Sequence, residues 1–495
     1  MDEVLTIGLL HLDVQHGKPE ENRSALLSLA ERAAFSGAQV ILAPELAVSG
    51  YGFDSIAEAA PFAETLAGET LSALGRLAHH HGVYIGVGMA ERDPATHILY
   101  NSACIVGPDG LLAAHHRKVA SERRWACPGS PGTWNLFDTP WGRMGVLICS
   151  DAYYSLLPRS LARQGVDLLL IPANWPATGI DPRKVWRARA LENGMGVVAC
   201  NRTGLDRRMD CRTGPSYAVT ATGTVLLDAV SESTTIWLVD YPLEGGRIPC
   251  RHRESLMAER RPGDFAAICL DVNGLEDFAG LWGLPEAGEL NIRCVVPESQ
   301  DHNTLVPLQS VNTDDDVPPT LFVFPRHASP VPIHALESFV RNRNRAIIAS
   351  VDGLDGSASP YALVSPSGKT VLVPGSAFAT GDFGPARIAL VGSRLLRHPE
   401  LAVALSKQGC DLLVAETERL DEDSRLLLGA KCLERAAVVA AAPDGAAIFE
   451  PPMGHAPWKE TTLYGPGECA GRIHTGSWRS KRFQDRVDMG VLLRR

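Results

Sequence analysis

No stretch of the chain approaches the roughly 18 uninterrupted apolar residues that a membrane-spanning helix needs, although 45% of its 495 residues are hydrophobic. Nor does it open like an exported protein. Met1 runs straight into the strand-like Leu5-Thr6-Ile7-Gly8-Leu9-Leu10, with no basic n-region, long apolar h-region or small-residue cleavage site. Positive charge is in deficit: Lys plus Arg number 47 against 57 Asp plus Glu, a net charge of -10, which argues against nucleic acid or an anionic membrane as the main partner. The basic steps Arg117-Lys118, Arg207-Arg208 and Arg260-Arg261 are too short to reverse this and read as solvated faces. The 11 cysteines are scattered, with no Cys-x-x-Cys pair and no Cys/His cluster at zinc-finger spacing. Neither a disulfide framework nor a structural metal is expected, and a reducing cytoplasm fits best. His79-His80-His81 looks metal-like, but helix neighbours point to different sides, so a polar helix end is the better reading.

A single core rarely grows to this length, so two domains are expected. Strand-like runs alternate with helical patterns: Val40 to Ala43, Val83 to Gly86, Ala103 to Val106, Met144 to Ile148, Leu168 to Ile171 and Val197 to Ala199 are separated by Ala25 to Ser36, Leu71 to His81, Leu156 to Gln164 and Val185 to Asn193. This is an α/β layout, and the second half repeats it. Leu161-Ala-Arg-Gln-Gly-Val-Asp-Leu-Leu-Leu170 is echoed by Leu405-Ser-Lys-Gln-Gly-Cys-Asp-Leu-Leu-Val414. Two Pro-containing turns, Gly107-Pro108-Asp109-Gly110 and Ser365-Pro366-Ser367-Gly368, each join two strand-like runs as a hairpin. A third match closes each half, Gly246-Arg247-Ile248 to Arg260-Arg261 resembling Gly471-Arg472-Ile473 to Arg486. The halves are expected to divide into domains at 1-285 and 286-495, with a linker near Gly280 to Glu289.

The chemistry-bearing residues lie in the first half. Cys149 follows the apolar run Gly145-Val146-Leu147-Ile148, so its thiol is expected at a strand-to-helix turn, where a helix N-terminus favours thiolate. Taken alone it also fits a small core residue. Glu45 ends Val40-Ile41-Leu42-Ala43-Pro44, and Lys118 follows His115-His116-Arg117; each alone fits a cap or a surface charge.

Together, three strand ends carrying Glu, Lys and Cys in that order resemble the nitrilase or carbon-nitrogen hydrolase superfamily. The segments Leu42-Ala43-Pro44-Glu45 with Gly50-Tyr51, Arg117-Lys118, and Gly142-Arg-Met-Gly-Val-Leu-Ile-Cys149-Ser-Asp151 carry the likeness. Ile171-Pro-Ala-Asn-Trp-Pro176, Trp186 to Asn193 and Gly214-Pro-Ser216 extend it over roughly residues 5 to 265. The resemblance implies αββα-sandwich domains and hydrolysis of a non-peptide carbon-nitrogen bond, with no metal or organic cofactor. By that likeness Cys149 is the nucleophile, forming a thioester, Glu45 is the general base, and Lys118 holds the oxyanion and the carboxylates. Glu122, ahead of Pro128-Gly129, occupies the place of a second glutamate, with a surface pair to Arg123 or Arg124 as its alternative. Asn174, Trp175 and Tyr51 are the expected substrate-binding positions, and Glu192 is expected to hold helix to loop. Asp206, Arg207 and Arg208 could meet a charged substrate tail, although a solvated loop is the simpler reading. Asp151 two residues after the cysteine resembles amidases and carbamoylases, whereas true nitrilases tend to carry a Trp-Glu pair where this chain has Ser150-Asp151; a small-molecule amide is the expected substrate, with a carbamoyl compound as the nearest alternative and a nitrile third. From other classes, an acyltransferase using the same thioester and a non-catalytic binding protein stay open.

The second half lacks this equipment. Glu45 aligns with Arg326, Lys118 with Ser376 and Cys149 with Ser393, and the stretch carrying Glu122 is missing between 376 and 393. A serine hydroxyl without an adjacent base is inert at neutral pH, so Ser393 is not expected to replace the thiol. The second domain is therefore expected to be a degenerate copy, pairing with the first as an intramolecular pseudo-dimer that could assemble further into homo-oligomers.

Overall fold

The computed structural model describes residues 3–130, 134–298, 318–326, 330–352, 360–373, 375–454 and 456–494. Two compact units emerge, one of residues 1–259 with 486–494, the other of residues 260–485. The division falls after Glu259, ahead of the 280–289 stretch expected as a linker. The reason is local: Lys407 donates to the carbonyls of Ile268 at 2.7 Å and Leu270 at 2.8 Å, and Arg260 donates to Glu400 at 3.0 Å, so residues 260–285 pack as part of the second unit.

In the first unit, one six-stranded sheet runs in the order Thr235–Pro242, Val4–His11, Val40–Leu42, Tyr84–Arg92, Leu99–Val106, Leu112–Arg117. The other runs Val225–Ala229, Ser216–Val219, Gly196–Asn201, Leu168–Ala173, Gly142–Val146, Leu136–Thr139. The middle strands of each are parallel and the outer ones antiparallel. Strands such as Leu168–Ala173 and Gly196–Asn201 are buried along their whole length, which is why they read as unbroken apolar runs. The two sheets pack face to face, and helices cover their outer faces: Pro19–Phe35 and Glu69–His81 on one side, Leu156–Arg163 and Pro182–Asn193 on the other. The result is a helix–sheet–sheet–helix sandwich. Glu69–His81 ends at Gly82 in the left-handed conformation, and its three histidines form the last turn.

The second unit has the same two sheet orders, built from Glu289–Val296, Thr320–Val323, Arg345–Ser350, Tyr361–Ser365, Gly368–Leu372 and Gly467–His474, and from Phe378–Phe383, Ala386–Gly392, Leu412–Glu416, Ala437–Ala442, Gly445–Glu450 and Lys459–Tyr464. Both hairpin turns of the repeat fall where the sequence places them. The third match does not hold. Gly471-Arg472-Ile473 lies inside the strand Gly467–His474, paired with Glu289–Val296, whereas Gly246-Arg247-Ile248 lies beyond the end of the corresponding strand Thr235–Pro242. The Gly-Arg-Ile likeness that opens the match, next to an edge strand, is not enough to set register. Among the described residues, no helix is long and apolar enough to cross a membrane.

Candidate active site

Glu45, Lys118, Cys149 and Asn174 all follow strand ends at one rim of the first sandwich. Close approach of backbone makes this possible. A Cβ on Gly88 would meet the Glu45 Cα at 2.5 Å, so only glycine lets the neighbouring strand lie against the Pro44–Leu46 turn. Likewise a Cβ on Gly129 would meet the Arg117 carbonyl oxygen at 2.1 Å, and the Gly129 N–H donates to the Lys118 carbonyl at 2.8 Å. Cys149 itself sits at φ 44° and Leu46 at φ 51°, left-handed conformations unusual for such residues, so both turns are held by their surroundings.

The charged groups form one dry cluster. Lys118 Nζ lies 2.6 Å from Glu45 Oε1 and 2.5 Å from Glu122 Oε1. Asn101 Nδ2 donates to both carboxylates, at 2.7 Å to Glu45 and 2.8 Å to Glu122. The Tyr51 hydroxyl donates to Glu122 at 2.9 Å, and the Asn174 backbone N–H donates to Glu45 Oε2 at 3.0 Å. Glu122 is thus buried in the cluster rather than paired with Arg123 or Arg124 on the surface. Asn101 escaped the sequence reading; its signal was the polar pair Asn101-Ser102 inside the buried strand Leu99–Val106.

Two carboxylates sharing one cation are driven apart in basicity. Burial raises Glu45 above the ordinary carboxylate range in spite of Lys118. At Glu122 burial also pushes upward, but the Lys118 charge and the hydrogen bonds from Asn101 and Lys118 outweigh it, and the carboxyl ends below its usual range. Burial works against the Lys118 charge, yet Glu122 and Glu45 hold its ammonium well above the ordinary lysine value. Glu45 is therefore the carboxylate readier to accept a proton.

The cysteine departs from the sequence expectation. No α-helix starts at Cys149; the residue opens the short 3-10 turn Cys149–Tyr153, and the helix begins only at Leu156. Burial pushes the thiol well above its ordinary range and the Glu45 charge adds to this, with Lys118 and the Asn174 backbone pulling the other way without cancelling it. The resting group is a thiol, not a thiolate, and needs a base.

Asp151 ties the cysteine turn to the lysine loop. One carboxylate oxygen accepts the backbone N–H groups of Val119 at 3.0 Å and Ala120 at 2.8 Å. The other accepts Ile148 N–H at 3.2 Å and lies 2.8 Å from His116 Nε2. Behind the turn, Glu192 pairs with Arg189, which donates to the carbonyls of Ala152 at 2.8 Å and Tyr153 at 3.1 Å, so Glu192 joins helix to loop as expected.

Of the expected substrate-binding positions, Asn174 keeps both side-chain polar atoms buried and without a partner. The Trp175 indole N–H is already donated to the Ile180 carbonyl at 3.0 Å, and the Tyr51 hydroxyl is committed to Glu122. Asp206 pairs with Arg202 at 2.8 Å, and Arg207 and Arg208 pair with Glu58 and Asp54. This loop is engaged with the segment after Tyr51. Among the described residues, no group of three or more His, Cys, Asp or Glu is placed to hold a metal.

A thiol on a constrained turn, beside a basic carboxylate and a fixed ammonium on neighbouring strand ends, has the parts that covalent acyl chemistry requires. Comparison with known proteins supplies the family. Residues 7–247 match the family described as carbon-nitrogen hydrolase. Over 208 residues the chain is 34% identical to a nitrilase of Pyrococcus abyssi, spanning 41% of this chain and 77% of that protein. Over 231 residues it is 31% identical to the omega-amidase NIT2 of Xenopus tropicalis, spanning 44% and 81%. Among solved structures, a carbon-nitrogen hydrolase of Helicobacter pylori G27 aligns with a TM-score of 0.48 at 22% identity, over 54% of this chain and 98% of that one. The chain belongs to the carbon-nitrogen hydrolase family, and it is an enzyme of carbon-nitrogen bond hydrolysis.

Proposed function

We propose that the first half, the domain expected over residues 1-285, hydrolyses a small-molecule amide through a thioester on Cys149, and that the second half, 286-495, is not catalytic. The observation that carries this reading is the split between the two carboxylates around Lys118: only Glu45 is held basic, and its charge acts directly on a thiol that burial keeps protonated.

The steps follow from that. Glu45 takes the Cys149 proton as the sulfur attacks the amide carbon, and the carbonyl π electrons move to oxygen. The oxyanion develops beside the Lys118 ammonium. As the tetrahedral carbon collapses, the C–N bond breaks and Glu45 returns its proton to the leaving nitrogen, releasing ammonia or an amine and leaving the thioester. Glu45 then takes a proton from water, whose oxygen attacks the thioester; collapse expels the thiolate, which recovers the proton, and a carboxylic acid leaves. Glu122, kept ionised, holds Lys118 and its loop. The unpartnered amide of Asn174 supplies a donor and an acceptor for the substrate.

Ammonia release from a panel of amides, ureido acids and nitriles tests this. Turnover of primary amides without carbon dioxide is the expected result. The likeness to a protein named nitrilase keeps nitriles in the panel, and turnover confined to nitriles or ureido acids overturns the amide assignment.

A further inference from the structure

The second unit contains a cavity of about 420 Å3 where the first unit has its cluster. Arg326 follows the strand Thr320–Val323 by the same interval that separates Glu45 from Val40–Leu42. The pairing of Ile388 with Leu412 repeats that of Met144 with Leu168, which puts position 393 in the place of Cys149 and Glu418 in the place of Asn174. The cavity reaches Arg326, Ser376, Arg394, Glu416, Thr417 and Glu418. The vestigial cleft has therefore stayed open instead of being packed shut, and a guanidinium stands where the first unit carries its base.

The charges of the lining are unevenly spent. Glu416 is paired with Arg326, whose Nη1 lies 2.8 Å from its Oε1. Asp421 caps the helix Glu422–Lys431 by accepting the Ser424 N–H at 2.9 Å. Arg394, exposed in the lining, makes no ion pair among the described residues, and one arm of the Arg326 fork suffices for its bond to Glu416. Guanidinium donors lining a concave space match a planar carboxylate. Glu418, exposed at the same rim, repels a second negative charge.

We propose that this cavity binds a small monocarboxylate, with Arg326 and Arg394 supplying the N–H donors. The test is isothermal titration of propionate and benzoate into the full chain carrying Cys149→Ala. Saturable one-to-one binding is expected, insensitive to excess propionamide, kept when Lys118→Ala is added, and weakened about tenfold or more by Arg326→Ala or Arg394→Ala, with Arg326→Lys restoring part of it. Absence of saturable binding overturns the proposal, as does binding that survives both arginine substitutions or disappears with Lys118→Ala, which would place the ligand in the first unit. If circular dichroism shows that Arg326→Ala does not fold, Arg394→Ala decides, because that side chain is exposed and its loss leaves the core intact.

Discussion

The proposed mechanism requires Glu45 to stay basic beside a permanent cation. A second carboxylate, Glu122, shares the same ammonium; the Lys118 charge and the hydrogen bonds from Asn101 and Lys118 hold it below its usual range, while burial leaves Glu45 above it. Glu45→Gln is expected to lower kcat by about 100-fold to 10,000-fold, the usual range for a lost general base, with little change in the melting curve. The sign of the pH dependence follows from the raised value: Glu45 must be ionised to act, so kcat/KM is expected to fall as pH drops through a point above the ordinary carboxylate value of about 4.3. An acid limb at or below that value contradicts the assignment. Stability runs the other way at Glu91. Burial pushes its carboxyl up, but hydrogen bonds from His115 and Arg117 win and bring it down to about 2. A depressed carboxylate contributes stability that is fully present above its unfolded value and drains as pH falls toward the folded one. Denaturant midpoints are therefore expected to decline between about pH 4.5 and pH 2, and to decline less in Glu91→Gln.

At the level of elements, glycines and one aspartate bring the strand ends into register. Gly88→Ala is expected to displace the Glu45 turn and Asp151→Ala to release the Lys118 loop from the Cys149 turn, each lowering kcat by about tenfold or more while the far-ultraviolet spectrum stays native. A variant of either kind with full activity refutes the positioning argument. The alternation of strands and helices and the paired hairpins were legible because buried parallel strands and helix faces write strong periodicities. Glu45, Lys118 and Cys149 were legible through resemblance, since each alone looks like a cap, a surface charge or a core thiol. Asn101 and the clamp of Asp151 were not, because their meaning lies in which strand ends meet, a long-range fact. The helix Leu156–Arg163 stands where its spacing places it, but the thiolate expected at Cys149 fails because the 3-10 turn Cys149–Tyr153 keeps the thiol away from that helix's N-terminus.

Over the whole molecule, the chain leaves the first unit after Glu259 and returns to it at Arg486. The returning segment touches what matters there: Arg486 donates to the carbonyls of Pro128 at 3.1 Å and Gly129 at 3.3 Å, the turn whose N–H holds the Lys118 carbonyl. A fragment ending at residue 285 lacks this segment. It is expected to be poorly soluble or weakly active, and adding back a peptide of residues 486–494 is expected to recover part of the activity. A stable, fully active fragment contradicts this.

The central claim, that carbon-nitrogen bond cleavage passes through a thioester on Cys149, is tested most directly by rapid-quench mass spectrometry of the protein mixed with an amide it turns over. The account predicts an acyl adduct on the Cys149 peptide that forms and decays with ammonia release and is absent, along with turnover, in Cys149→Ala. Turnover that survives in Cys149→Ala, or an adduct on any other residue, contradicts it.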